Sequence, residues 1–334
     1  MTTLDLSHEG LTSIDDYKFP IYLQKLYLHH NQISDINKIN QRSIFSANLK
    51  ELDLNYNLIS DISHVNFPEN LQVLDLSYNK ISDISHVIFP ANLQVLYLYN
   101  NQISDINKID RRSIFPENLQ ELYLGNNKIS DINKIDLWSI FPANLKNLDL
   151  SGNKISDISH VKNLHYSEDF NKRDRKYLFP ANLQLLNLSN NKISDISHIN
   201  FPANLQELYL NGNKISDISR ISFPSNLKEL DLAINQISDI SHVIFPVNLQ
   251  KLSLFDNNLP IILNCNPNAW KNHIEYINIY KRICICQTYI RQKYYLKKIK
   301  AIIIQRIISQ IAYRPEFRHA FMYKKLLNEF IKNE

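Results

Sequence analysis

Glycine is scarce in this chain, with only Gly10, Gly125, Gly152 and Gly212 in 334 residues. No phosphate-cradling loop can be built from four scattered glycines, which excludes the nucleotide-binding classes that rest on such loops. Cysteine is rarer still. Cys265, Cys284 and Cys286 lie in the last quarter, an odd number without the spacing of a secreted disulfide framework. Cys284-x-Cys286 is also too close for the usual Cys-x-x-Cys redox or metal spacing. A reducing compartment fits this usage. Long apolar runs are missing too: the longest cluster, Ala301 to Ile311, is broken by Gln305, Arg306, Ser309 and Gln310 and falls short of the roughly 20 residues a membrane span requires. The opening Met-Thr-Thr-Leu-Asp-Leu-Ser lacks the basic and apolar regions of a signal peptide. The expectation is an intracellular, cytoplasmic protein with neither signal peptide nor transmembrane segment.

Apolar residues make up 44% of the sequence and charged residues 21%, a balance that supports a buried core and argues against global disorder. The net charge of +4 hides a division. Residues 261–334 carry 14 Lys and Arg against 4 Glu, which leaves residues 1–260 at −6. An acidic body is joined to a basic tail.

The body is a repeat. The block Leu-x-x-Leu-x-Leu-x-x-Asn-x-Ile-Ser-Asp-Ile recurs with its Asn at 31, 57, 79, 101, 127, 153, 191, 213, 235 and 257, at intervals of 22, 26 or 38 residues. A partial copy from Leu4 to Leu11 opens the array, giving about eleven repeats. In Leu26-Tyr27-Leu28 and its equivalents, the period of two sends the leucines inward and the middle residue outward, as a short parallel strand requires. The Asn that follows offers an acceptor and a donor to backbone groups buried where the chain leaves the sheet, so stacked repeats would form an Asn ladder. The Ser and Asp of Ile-Ser-Asp-Ile suit the start of a helical or 3₁₀ turn. The return is written Phe-Pro-x-Asn-Leu, with Ser46 the one replacement for proline, and predicts a spine of stacked Phe side chains on the convex side. The 26-residue copies add about one helical turn there, and the 38-residue copy adds a charged excursion within residues 160–178.

These residues resemble the leucine-rich-repeat family, specifically its short 22-residue cytoplasmic class, across residues 3–260. The Phe-Pro-x-Asn-Leu block is similar to the short repeats of amoebae and of large DNA viruses that infect them. The resemblance implies a non-enzymatic horseshoe that binds partners on its concave sheet. The fold expected is an α/β repeat: a curved solenoid over residues 1–260 with a parallel concave sheet, a convex side of 3₁₀ segments and turns, and an α-helical tail over 261–334.

Function then rests on the surface. The outward residues form a tyrosine and aspartate stripe: Tyr27, Asp53, Asp75, Tyr97, Tyr123, Asp149, Tyr209 and Asp231, flanked by Tyr56, Tyr78 and Tyr99. Aromatic area with clustered acids suits capture of a basic protein segment. The acidic sheet disfavours nucleic acid. The tail, with Arg291, Lys293, Lys297 and Lys298 among Tyr289, Tyr294 and Tyr295, offers an alternative as an anchor to membrane, nucleic acid or an acidic adaptor, or a plain helical cap. A monomer is the expected state. No catalytic residue, cofactor or metal site is expected: His64, His86, His160, His198 and His242 are copies of one repeat slot, and His29-His30, adjacent on a strand, would point to opposite faces or into a turn, a poor geometry for shared metal ligation. The Asp of the Ser-Asp pair recurs nine times, as a capping residue would and a catalytic one would not.

Overall fold

The chain divides into two units, Met1–Ile277 and Asn278–Glu334. A computed structural model describes residues 2–37, 45–106, 114–132, 140–159 and 178–259, all in the first unit. The expected helical tail, the charged excursion at 160–178 and the extra helical turns of the 26-residue copies lie outside the described residues or almost wholly so.

Each repeat contributes one three-residue strand. In chain order these are β1 (Thr3–Asp5), β2 (Lys25–Tyr27), β3 (Glu51–Asp53), β4 (Val73–Asp75), β5 (Val95–Tyr97), β6 (Glu121–Tyr123), β7 (Asn147–Asp149), β8 (Leu185–Asn187), β9 (Glu207–Tyr209), β10 (Glu229–Asp231) and β11 (Lys251–Ser253). They form one sheet in sequence order, every neighbouring pair parallel. The register never slips: Leu4, Leu26, Leu52 and Leu74 oppose one another, and so on to Leu252. A slip of one residue would turn every core leucine outward, which is why the pattern fixes the register so firmly.

The core lies between this sheet and the returning segments. The three leucines of a repeat, such as Leu71, Leu74 and Leu76, are fully buried, as are the two isoleucines of Ile-Ser-Asp-Ile, such as Ile81 and Ile84. Between these isoleucines the Asp, not the Ser, starts the turn: Asp61 Oδ1 accepts from Ser63 N at 2.8 Å, and Asp83, Asp195, Asp217 and Asp239 accept in the same way. These bonds hold the five carboxyls below the ordinary range. The convex side is made of single turns, as in Val65 N donating to Ile62 O and Leu71 N to Pro68 O. No 3₁₀ segment occurs among the described residues, because these bonds stand alone rather than in consecutive runs. Ser46 closes the same turn without proline, with Leu49 N donating to Ser46 O at 3.0 Å while its hydroxyl bonds Ile21 O.

The predicted Phe spine is present. Phe19 and Phe45, Phe67, Phe89 and Phe115, Phe141 and Phe179, and Phe223 and Phe245 stack with centroids 6.0–6.4 Å apart. Strands in a sheet lie about 4.8 Å apart, so each turn is wider on the Phe side and the solenoid curves with the sheet on its concave face.

Behind each strand the Asn side chain closes the turn. Asn127 Nδ2 donates to Leu98 O, Leu124 O and Gly125 O at 2.9–3.3 Å, while its Oδ1 accepts from Ile103 N at 3.0 Å. The same set repeats from Asn31 to Asn257. The residue before this Asn, or before Glu9 in the first copy, has positive φ in every repeat: His8, His30, Tyr56, Tyr78, Asn100, Asn126, Gly152, Asn190, Gly212, Ile234 and Asp256. At this left-handed slot the chain turns out of the sheet, which suits Gly and Asn and penalises a β-branched residue.

Asn127→Ala leaves the Ile103 N–H and three carbonyls without their partner, and is expected to lower unfolding free energy by at least ~2 kcal/mol in a denaturant titration. Ile234→Asn, which relieves a β-branched residue at φ 54 and 45% exposure, is expected to raise it by about 1 kcal/mol in the same assay.

Candidate functional site

The concave face is built from the outward strand residues and the two positions after each strand. Strands β3 to β10 carry no Lys or Arg at all, while Glu51, Asp53, Asp75, Glu121, Asp149, Glu207, Glu229 and Asp231 line them. Lysine occurs only towards the two ends, where Lys25 meets Glu51 at 2.6 Å and Lys251 meets Glu229 at 2.8 Å.

The predicted residues separate into three environments. At the centre, Tyr97 and Tyr123 stack nearly parallel with centroids 4.8 Å apart, and Tyr99 packs on Tyr123 at 5.5 Å. Tyr99 reaches across to β7, where its hydroxyl donates to Asp149 Oδ2 at 2.8 Å. Gly125 makes that reach possible. A Cβ there would come within 2.6 Å of Tyr99 Cε1 and 2.9 Å of Ser151 Oγ. Burial and the carboxylates push the Tyr99 and Tyr123 phenols far above their ordinary value, Tyr123 through its 2.7 Å bond to Glu121. Tyr209, three strands further along, is held in the same way by Glu207 at 2.9 Å, and Tyr27 by Glu51 at 3.0 Å.

The strand aspartates form the second environment. Asp53, Asp75, Asp149 and Asp231 each accept, through Oδ1, the backbone N–H two residues on, at 2.8–2.9 Å. They therefore brace the exit of the chain from the strand as well as charging the face. The other oxygen is also engaged in two of them: Asp75 Oδ2 accepts from Asn55 Nδ2, and Asp149 Oδ2 from Asn187 Nδ2 and the Tyr99 hydroxyl. Partial burial raises the carboxyls of Asp53 and Asp231.

Tyr56 and Tyr78 form the third. They occupy the left-handed slot rather than a strand, so they stand on the rim, stacked 4.0 Å apart and more than 40% exposed. His30 continues the stack 4.3 Å from Tyr56. Of the two arrangements expected for His29 and His30, opposite faces or a turn, the structure has the turn. The positive φ of His30 ends the strand alternation, and both imidazoles lie beside His8 of the preceding repeat. Loss of solvation, with His8 and His29 close by, lowers the His30 pKa.

Sequence reasoning also missed a polar groove of about 890 Å³ where the chain enters the sheet, lined by files such as Asn70, Asn92 and Asn118 and Gln72, Gln94 and Gln120. The signal was in the Asn of Phe-Pro-x-Asn-Leu. Its Nδ2 donates to a carbonyl of the preceding repeat, Asn70 to Ala47 O at 2.9 Å and Asn92 to Glu69 O at 3.0 Å, making a second ladder.

The family model for Leucine Rich repeats (2 copies) matches residues 23–67, 69–111, 91–137, 117–163, 181–222 and 203–244. The chain belongs to the leucine-rich-repeat family. Among solved structures it is similar to YopM from Yersinia enterocolitica, at 26% identity and a TM-score of 0.58, over 78% of this chain and 47% of that one. It is likewise similar to an internalin, InlF, from Listeria monocytogenes, at 27% identity and a TM-score of 0.56, over 78% of this chain and 75% of that one. The leucine-rich-repeat chain thus spans about half the length of YopM. No curated protein matches it. Leucine-rich-repeat proteins commonly serve as protein-interaction scaffolds. Among the described residues no helix is long and apolar enough to cross a membrane.

The raised Tyr99 phenol links the site to stability. A folded-state pKa above the unfolded value of about 10 contributes stability that is full below that pH and is lost as pH rises above it. Denaturant midpoints are expected to fall between about pH 10 and pH 12, less steeply in Tyr99→Phe, with Gly125→Ala reproducing that change by displacing the ring.

Proposed function

We propose that this protein is a non-enzymatic scaffold that captures a basic segment of a partner protein on its acidic, tyrosine-rich concave face. The observation that carries this reading is the central file of Tyr97, Tyr123 and Tyr99, tied to Asp149 across β5 to β7. Because the Tyr99 and Tyr123 hydroxyls are bonded to Asp149 and Glu121 and Tyr97 stacks on Tyr123, little side-chain entropy remains to be lost on binding. Acids on β3 to β10, with no strand cation among them, supply a field that draws in Lys and Arg and repels phosphate. Tyr27, Asp53, Asp75, Tyr209 and Asp231 extend the same surface along the array, and Tyr56 and Tyr78 add an apolar ledge at its rim.

The finer attribution to the short 22-residue class, and to a source among amoebae or their large DNA viruses, rests on the Phe-Pro-x-Asn-Leu return and its single-turn convex side. In that setting the scaffold works in the cytoplasm on a host protein.

The test is capture from cell lysate by the full chain, by Tyr97→Ala/Tyr123→Ala/Tyr209→Ala, and by a chain with its tail lysines and arginines neutralised, at low and moderate salt. Captured proteins are expected to bind through basic segments, to weaken with salt and to fall at least about tenfold with the tyrosine variant, as loss of central aromatic anchors implies. Retention by the tyrosine variant with loss in the tail variant would place recognition in residues 280–334 and end this reading.

A further inference from the structure

The array brings three imidazoles together at its first turns. His8 and His30 occupy the same left-handed slot of successive repeats, stacked by the in-register sheet, and His8 N donates to His29 O at 3.1 Å. His29 precedes the slot. Its ring meets His8 edge-on at 5.4 Å between centroids and His30 at 5.3 Å, while His8 and His30 are 4.5 Å apart. One ring nitrogen from each lies within 4.8 Å of the other two.

We propose that His8, His29 and His30 bind a divalent transition-metal ion of imidazole preference, with zinc the representative case, and leave one coordination position open. Three nitrogens around zinc at about 2.0–2.1 Å in tetrahedral geometry stand roughly 3.4 Å apart. Closing from 4.8 Å requires only side-chain rotation, and His8 and His30 are exposed and free to make it. Nitrogen donors with no thiolate select the zinc, copper and nickel class over calcium or magnesium, which take oxygen.

The surroundings suit a dication. Asp5 lies near His8 and His29, and Asp53 acts on His29 from the adjacent strand. Asp5 is held ionised by Ser7, whose backbone N–H and hydroxyl both donate to its Oδ1. On the other side the Tyr56 ring backs His30 at 4.3 Å between centroids. After His8 and His30 the slot is held by Tyr, Asn, Gly, Ile or Asp and never again by His, so among the described residues this cluster forms only at the first two turns.

The repeat itself supplies conservative variants, because Asn fills the left-handed slot at 100, 126 and 190 without loss of the turn. Zinc chloride is titrated calorimetrically into the full chain and into His8→Asn, His29→Asn, His30→Asn and, as a control on the convex side, His64→Asn. One equivalent is expected to bind the unmodified chain and the His64 variant, with affinity lowered at least about tenfold in each of the other three. Zinc should also raise the melting temperature of the first two proteins and not of the other three, as binding to the folded state alone requires. No zinc uptake by the unmodified chain, an equivalent retained at full affinity by the three variants, or one lost equally with His64→Asn, overturns the proposal.

Discussion

The asparagine carboxamide is the interaction on which every turn of this solenoid depends. Where the chain leaves a strand it must bend, and bending removes backbone carbonyls and an N–H from the ladder that would otherwise satisfy them. One side chain restores the account: Asn101 donates to Leu76 O, Leu98 O and Tyr99 O and receives the N–H of Ile81. Two of these bonds reach into the preceding repeat, so the group that closes one turn also fastens it to its neighbour. Aspartate is isosteric but has no donor, and glutamine is a methylene too long. The type is therefore fixed at ten successive positions, whereas the residue immediately before it varies from Gly to Tyr.

That contrast separates frame from function. The left-handed slot needs only a backbone able to hold φ near 54°, and its side chain projects at the rim. Tyrosines collect there at 56 and 78, and histidines at 8 and 30. Strand positions facing the concavity are nearly as permissive, but their occupants are bound into a network of phenols and carboxylates. The face is consequently stiff and charged at once: Asp149 braces its own turn through one oxygen while the other holds Tyr99 from two repeats away.

The repeat frame was legible because its determinants are local and periodic. Leucines at period two, Asn at a fixed offset and Phe before Pro state where the strand, the ladder and the spine must lie, and the structure places all three there. The site was legible only as composition. Sequence order gave Tyr99 and Asp149 no relation, since fifty residues separate them and Gly125 supplies the space between. The His triad was missed for a different reason. His29 and His30 were read as a pair, whereas the left-handed turn after Tyr27 brings both beside His8, the occupant of the same slot one repeat earlier. Of the convex side expected as 3₁₀ segments and turns, the described residues show the turns, where a Ser-Asp pair starts one turn without extending it.

Each strand touches only the strands on either side of it. A load applied to the ends is then shared by identical interfaces in series, and no single one has to yield. Small changes in the angle between turns add up along the array, so the mouth of the concavity opens or narrows while every local contact stays close to its resting geometry. Such a body behaves as a leaf spring. The stiffness of such a spring is set by the number of turns between the two points of load.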